Sequence, residues 1–166
     1  MVGPEDKQAW QRWAEARPDL DLSPLVIIGA LKHAGAMLDL LLEPVFEAAS
    51  ISSSEFDVLF HLHRAEPTIA RRLAASMGRS SAALSKALAK LERRGLVERQ
   101  ENQADRRSAL VTITDAGAAA VEEVLPQRLA LEAAAVGALT DRQRADADRV
   151  LRAVAQVFEA AARRAG

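Results

Sequence analysis

Over most of this chain the apolar residues recur every three to four positions, but between Leu96 and Thr114 the period drops to two. In "LVERQ" and "ALVTIT" apolar and polar residues alternate, with Val111 and Ile113 set against Thr112 and Thr114, as on half-buried strands. A polar loop, "ENQADRRS", joins the two runs. A strand's backbone groups stay unpaired unless it finds a neighbour, and two short runs this close can pair locally. The predicted fold class is therefore mainly α with one small β-hairpin.

Helix signals surround the hairpin. Residues 5–17 can form a short helix with Trp10 and Trp13 on one side. A long helix follows, with Ser23 as N-cap, Pro24 at its first position, and an apolar stripe of Ile27, Leu31, Ala34 and Leu38. Pro44 is expected to kink or end it. Ser52 and Glu55 form a capping box for the next helix, whose stripe reads Phe56, Leu59, Phe60 and His63. Thr68 is placed to cap a short helix from Ile69 to about Met77, and Gly78 breaks it. Ser80 caps "SAALSKALAKLERRG", with Leu84, Leu88 and Leu91 facing inward. After the hairpin, Thr114 caps a long helix from Asp115, with a kink expected at Pro126. Thr140 and Gln143 open a last helix whose stripe is Leu151, Val154, Phe158 and Ala161.

The formal net charge of the 166 residues is −1, which favours no partner. Its distribution is uneven. From Arg64 to Arg107 there are eleven Lys or Arg against five Asp or Glu, a balance of +6, leaving −7 for the remainder. A basic middle between acidic flanks predicts a polyanion-binding face, the alternative being ordinary solvated helix charge. There is no cysteine, which excludes disulfides, thiolate metal sites and thiol chemistry. His33, His61 and His63 form no metal pattern, and no cofactor is expected. The first residues do not read as a signal peptide, and no apolar run approaches the length of a membrane span. A cytoplasmic protein with no membrane partner is expected.

A short helix, a turn at Gly78 and a second helix with small polar residues in its first turns make a helix-turn-helix candidate. Arg79 and Ser80 stand at the start of the second helix. Ser81 and Ser85 are small enough to let it sit deep in a major groove, where Lys86 and Lys90 reach bases or phosphates. The hairpin then reads as a wing. Arg107 can enter a minor groove, Asp105 can hold its guanidinium, and Arg106 can meet a phosphate. The alternative for this tip is a solvated turn with a local ion pair.

"LERRGLVER", "DRRS" and "VTITDAG", in that order and spacing, resemble the winged helix-turn-helix core of the MarR family of bacterial regulators. The resemblance extends over roughly residues 20 to 164. It implies a winged DNA-binding lobe at 51–114, a helical dimerisation lobe formed by 20–50 and 115–166, and an N-terminal extension at 1–19. It further implies a homodimer on a pseudo-palindromic double-stranded operator, most often a repressor. It also implies release by a small aromatic or phenolic effector bound between the lobes. Residues placed to line such a pocket include Trp13, His33, Met37, Asp57 and His61. The family's urate-responsive subgroup carries an arginine in mid-recognition helix where this chain has Ala87, so urate is not predicted. The competing classes are a helical enzyme, for which no nucleophile–base pair or phosphate loop is evident, and a protein-interaction module reusing the fold.

Overall fold

The computed structural model describes residues 11–105 and 107–165. Trp10 and Arg106 lie outside the described residues. The chain divides into two compact units, up to Val124 and from Leu125 onward.

The first unit opens with α1, residues 11–16, and α2, Pro24–Ala48. Pro24 stands at the first turn as expected, but Ser23 caps nothing with its side chain. Its N–H and hydroxyl donate to the Asp21 carboxylate instead. Nor does Pro44 end the helix, which continues to Ala48. Proline removes the bond to the carbonyl four residues back, and that residue, Leu40, is well exposed, so water can take its place.

The capping box of α3, Ser53–Leu62, is present in both directions. The core face of α3 is Phe56, Val58, Leu59 and Leu62. Phe60 is exposed and His63 is the C-cap, so the expected stripe was turned by about one residue. Thr68 does not cap a helix. Thr68–Ile69 form a short strand, β1, and α4 runs Ala70–Ser76. Gly78 has φ +62° and Ser80 caps α5, Ser81–Arg93, accepting from the Ala83 N–H at 3.2 Å.

Strands β2, Val97–Glu101, and β3, Ala109–Ile113, pair antiparallel with Val97 opposite Ile113 and Glu101 opposite Ala109. The hairpin is thus one part of a three-stranded sheet of order β1-β3-β2, because β1 adds to the free edge of β3. Leu84, Leu88, Leu91, Phe56, Leu59, Val97 and Val111 close the core beneath the sheet, with Phe46 of α2 5.5 Å from Phe56, centroid to centroid.

Thr114 accepts from the Gly117 N–H and opens α6, Asp115–Gly137, which passes through Pro126 unbroken. A Cβ on Gly117 would lie 2.1 Å from the Leu96 carbonyl oxygen and 2.8 Å from Ile113 Cγ1. The helix start is therefore pressed on the foot of the wing. Gly117→Ala is expected to destabilise the fold by about 2 kcal/mol, mid-range for overpacking against atoms that cannot turn aside. Urea denaturation at unchanged m-value is the check. In the second unit, Thr140 and Gln143 complete their capping box and α7 spans Asp141–Ala165.

The two ends of the chain are poorly covered. Among the described residues of α7 none is buried, and Leu151, Val157 and Phe158 are exposed. In α2 only Leu42, Val45 and Phe46 are buried, while Val26, Ile27, Leu31 and Leu38 face outward. One expectation is corrected here. With mean hydropathy 1.8 over its window, α2 is long and apolar enough to cross a membrane by length and composition. Lys32 and Asp39 interrupt its run without lowering its average far. The core or interface helix of a soluble assembly meets the same criterion.

Candidate nucleic-acid interface

Helix α5 lies on its leucine stripe, and Ser81, Ser85 and Lys86 are exposed, as their spacing required. Lys86 and Arg93 have no ion pair among the described residues. The other two cations predicted for this helix are held from below. Arg79 Nη2 pairs with Asp57 Oδ2 at 3.0 Å, and its Nη1 donates to Ser54 Oγ at 2.8 Å. Lys90 Nζ donates to Glu55 Oε2 at 3.2 Å. Both ends of the recognition helix are thereby fastened to the first turn of α3.

Glu55 is the centre of this fastening, and the sequence disclosed only its capping role. Its side chain is 4% exposed. Oε2 accepts from the Ser52 N–H, the Ser52 hydroxyl and Lys90, and Oε1 from Arg94 Nη1 at 3.1 Å. Burial pushes its pKa up. The Ser52 hydrogen bonds and the Lys90 ammonium outweigh that and hold it below the ordinary carboxylate value. The buried charge is matched donor for donor, the condition under which a buried carboxylate is tolerated.

The wing turn is built by short polar side chains. Asn102 Oδ1 accepts from the Ala104 N–H, and its Nδ2 donates to Ser108 Oγ at 3.0 Å. Asp105 was expected to hold the Arg107 guanidinium. Its Oδ1 accepts instead from the Arg107 backbone N–H at 3.0 Å, and its Oδ2 from the Ser108 hydroxyl. An Asx-type bond two residues on is what this spacing favours in a turn. The guanidinium of Arg107 is left without a partner among the described residues. At the base, Arg99 Nε meets Glu92 Oε2 at 3.1 Å, joining β2 to α5.

Of the candidate effector contacts, Asp57 alone lines the large groove between α2 and α3. That groove has a volume of about 940 Å³, and Leu40, Glu43, Phe46, Arg79 and Lys90 also line it. His33 and Met37 are on α2 but outside that lining. His61 Nδ1 donates to the carbonyl of Asp57 in its own helix at 2.8 Å, and Trp13 is 59% exposed. The structure does not bring these five together. A contact the sequence did not disclose is Glu122 Oε1, which accepts from His63 Nε2 at 2.7 Å and from Arg64 Nη2 at 3.2 Å. These hold the Glu122 carboxyl below its usual range.

Against known proteins, the MarR family profile matches residues 51–109, the whole span from the start of α3 to the return strand of the wing. The HTH-type transcriptional regulator PecS of Dickeya dadantii (strain 3937) is 31% identical over 122 residues, 72% of this chain and 74% of that protein. The chain belongs to the MarR family. Among solved structures, a mutant MarR from E. coli complexed with operator DNA superposes with TM-score 0.71 at 27% identity, covering 80% of this chain and 96% of that one. AbsC, a MarR family transcriptional regulator from Streptomyces coelicolor, gives TM-score 0.74 at 19% identity, over 85% and 97%. In this MarR-family regulator α4, the Gly78 turn and α5 are the helix-turn-helix, and residues 102–105, 107 and 108 lie at the tip of the wing.

Proposed function

We propose that this protein is a ligand-responsive repressor that binds a pseudo-palindromic operator as a homodimer. The observation that carries the reading is the state of its cations. Lys86 on α5 and Arg107 on the wing are exposed and unpaired among the described residues, while Glu55, Asp57 and Asp105 are each engaged by hydrogen bonds or ion pairs with neighbouring groups. Unpaired Lys and Arg are what phosphate neutralisation requires. Ser81, Ser85 and Lys86 are assigned to base edges and Arg107 to the minor groove. Arg79 and Lys90 orient the helix as well as adding charge. Arg106 keeps its proposed phosphate contact on its place in the sequence.

The dimerisation lobe is assigned to residues 20–50 and 115–166, with residues 1–19 as an extension. Apolar surface as exposed as that of α2 and α7 calls for a partner surface, and a second copy provides it. A two-fold axis then puts the recognition helices in successive major grooves, roughly 34 Å apart. The activity is binding, with no bond made or broken, and its place is the cytoplasm, beside the chromosome. The effector is assigned to the groove lined by Asp57. A small aromatic or phenolic ligand bonding to Asp57 or Arg79 would compete with the pair that holds the start of α5.

The test is binding to the DNA flanking the protein's own gene, at two salt concentrations, with excess competitor. Tight, salt-sensitive, competitor-resistant binding is expected; weak binding that competitor removes would overturn the reading. Arg107→Ala is expected to weaken operator binding by about 1–3 kcal/mol and leave the dimer intact. Gel shift and light scattering measure both, and unchanged affinity would take the wing out of the interface.

A further inference from the structure

Between α4 and the wing lies a second concavity, of about 400 Å³, whose lining includes Ile69, Arg71, Arg99, Arg107, Ala109 and Val111. Its floor is apolar. Val111 is 1% exposed and sits between Thr68 on one side and Arg99 on the other in the ladder. Its rim is cationic. Arg71 is exposed and has no hydrogen bond or ion pair among the described residues. Arg99 is oriented by Glu92. The one acid in the lining is Asp105, and both its oxygens are taken by the wing turn. Three arginines thus line one space; Glu92 pairs with Arg99 and the wing turn engages Asp105, which leaves Arg71 and Arg107 without a carboxylate partner among the described residues. Like charges so placed repel unless an anion lies between them.

We propose that Arg71, with Arg99 beside it, seats one phosphate of the operator backbone at the edge of the groove that Arg107 enters. The planar fork of guanidinium matches phosphate oxygens two at a time. The partly exposed apolar side chains of Ile69 and Ala109 accept the adjoining sugar, which has no charge to solvate. Neither residue belongs to the helix-turn-helix surface assigned above, so the site widens the footprint from α5 and the wing tip to the first helix of the motif. A contact of this kind positions the protein and carries no sequence information. The proposal rests on the operator-binding reading.

The experiment compares wild type, Arg71→Ala and Arg71→Lys on operator and on scrambled duplex, over a series of salt concentrations. The slope of log K against log salt is expected to fall by about 1.8 in the alanine variant, about 0.9 for each of the two subunits, equivalent to roughly sixtyfold weaker binding at 0.1 M salt. Both duplexes should weaken by the same factor, and lysine should restore most of the slope. Circular dichroism should not change, since Arg71 supports nothing in the fold. Loss on the operator alone would overturn the proposal, because it would place Arg71 on bases. An unchanged slope would also overturn it. So would saturable, Arg71-dependent binding of inorganic phosphate to the free protein with DNA affinity unaltered, which would make the concavity a small-anion site. A wild type with no salt-dependent DNA binding would instead defeat the operator reading beneath it.

Discussion

The double variant Leu151→Asp and Phe158→Asp is expected to be a monomer by light scattering, with operator affinity about 10²–10⁴-fold below wild type. That factor is what joining two half-site readers into one body contributes. Both side chains project from the apolar stripe of α7 and are exposed in the single chain, at 54% and 43%. Charging them should not disturb the winged lobe, whose core is assembled from α3, α5, the sheet and the first turns of α6. In a dimer the same carboxylates would be buried without partners, several kcal/mol unfavourable each. A double variant that stays dimeric would remove α7 from the interface. Deletion of residues 139–166 gives an independent check, and a truncated chain still dimeric and fully active on DNA would refute the lobe assignment.

Glu55→Ala is expected to lower stability by about 3 kcal/mol, the low end for breaking a buried ion pair. The low end applies because the partners left behind are not themselves buried. Lys90 is 56% exposed and can return to water. For a chain of this size the change corresponds to roughly 6–12 °C in Tm. The variant also loses the reciprocal cap of α3, by itself worth about 1 kcal/mol. The pH dependence has a definite sign. The folded-state pKa of Glu55 lies below its ordinary 4.5. The stability it contributes is therefore complete above that value and lost as pH falls below it, through the folded pKa. Wild type should show an acid-side decline in Tm below about pH 4.5, which Glu55→Gln flattens while keeping part of the cap. Equal declines in both would assign the acid sensitivity to other carboxylates.

The local signals were legible where one residue determines its neighbours. Ser52 with Glu55, Ser80 and Thr140 with Gln143 each cap the helix they announce, and the leucine stripe of α5 lies inward as its spacing demanded. What stayed hidden were pairings between distant positions. Strand β1 is two residues long and exists because Ile69 finds Leu110. Glu55 meets Lys90 across 35 residues, and His63 meets Glu122 across 59. No period or spacing encodes such partners. Asp105 shows the same limit at short range. Its spacing from Arg107 allowed a bond to guanidinium or to backbone, and the turn selected the backbone. Of the proposed DNA-facing residues, exposure could be anticipated for Ser81, Ser85 and Lys86, whereas the engagement of Arg79 and Lys90 depends on how α3 lies against α5.

The near-contact at Gly117 has a mechanical consequence. With the Leu96 carbonyl where a methyl would go, and Thr114 donating to the Gly95 carbonyl at 2.7 Å, the first turn of α6 and the root of the wing have no slack between them. A joint of that kind transmits displacement as a gear train does, tooth against tooth, without a flexible link to absorb it. A displacement at the beginning of α6 meets the root of the wing directly, through the Leu96 carbonyl and the Thr114 hydrogen bond. Glycine at position 117 is what lets these two elements meet so closely.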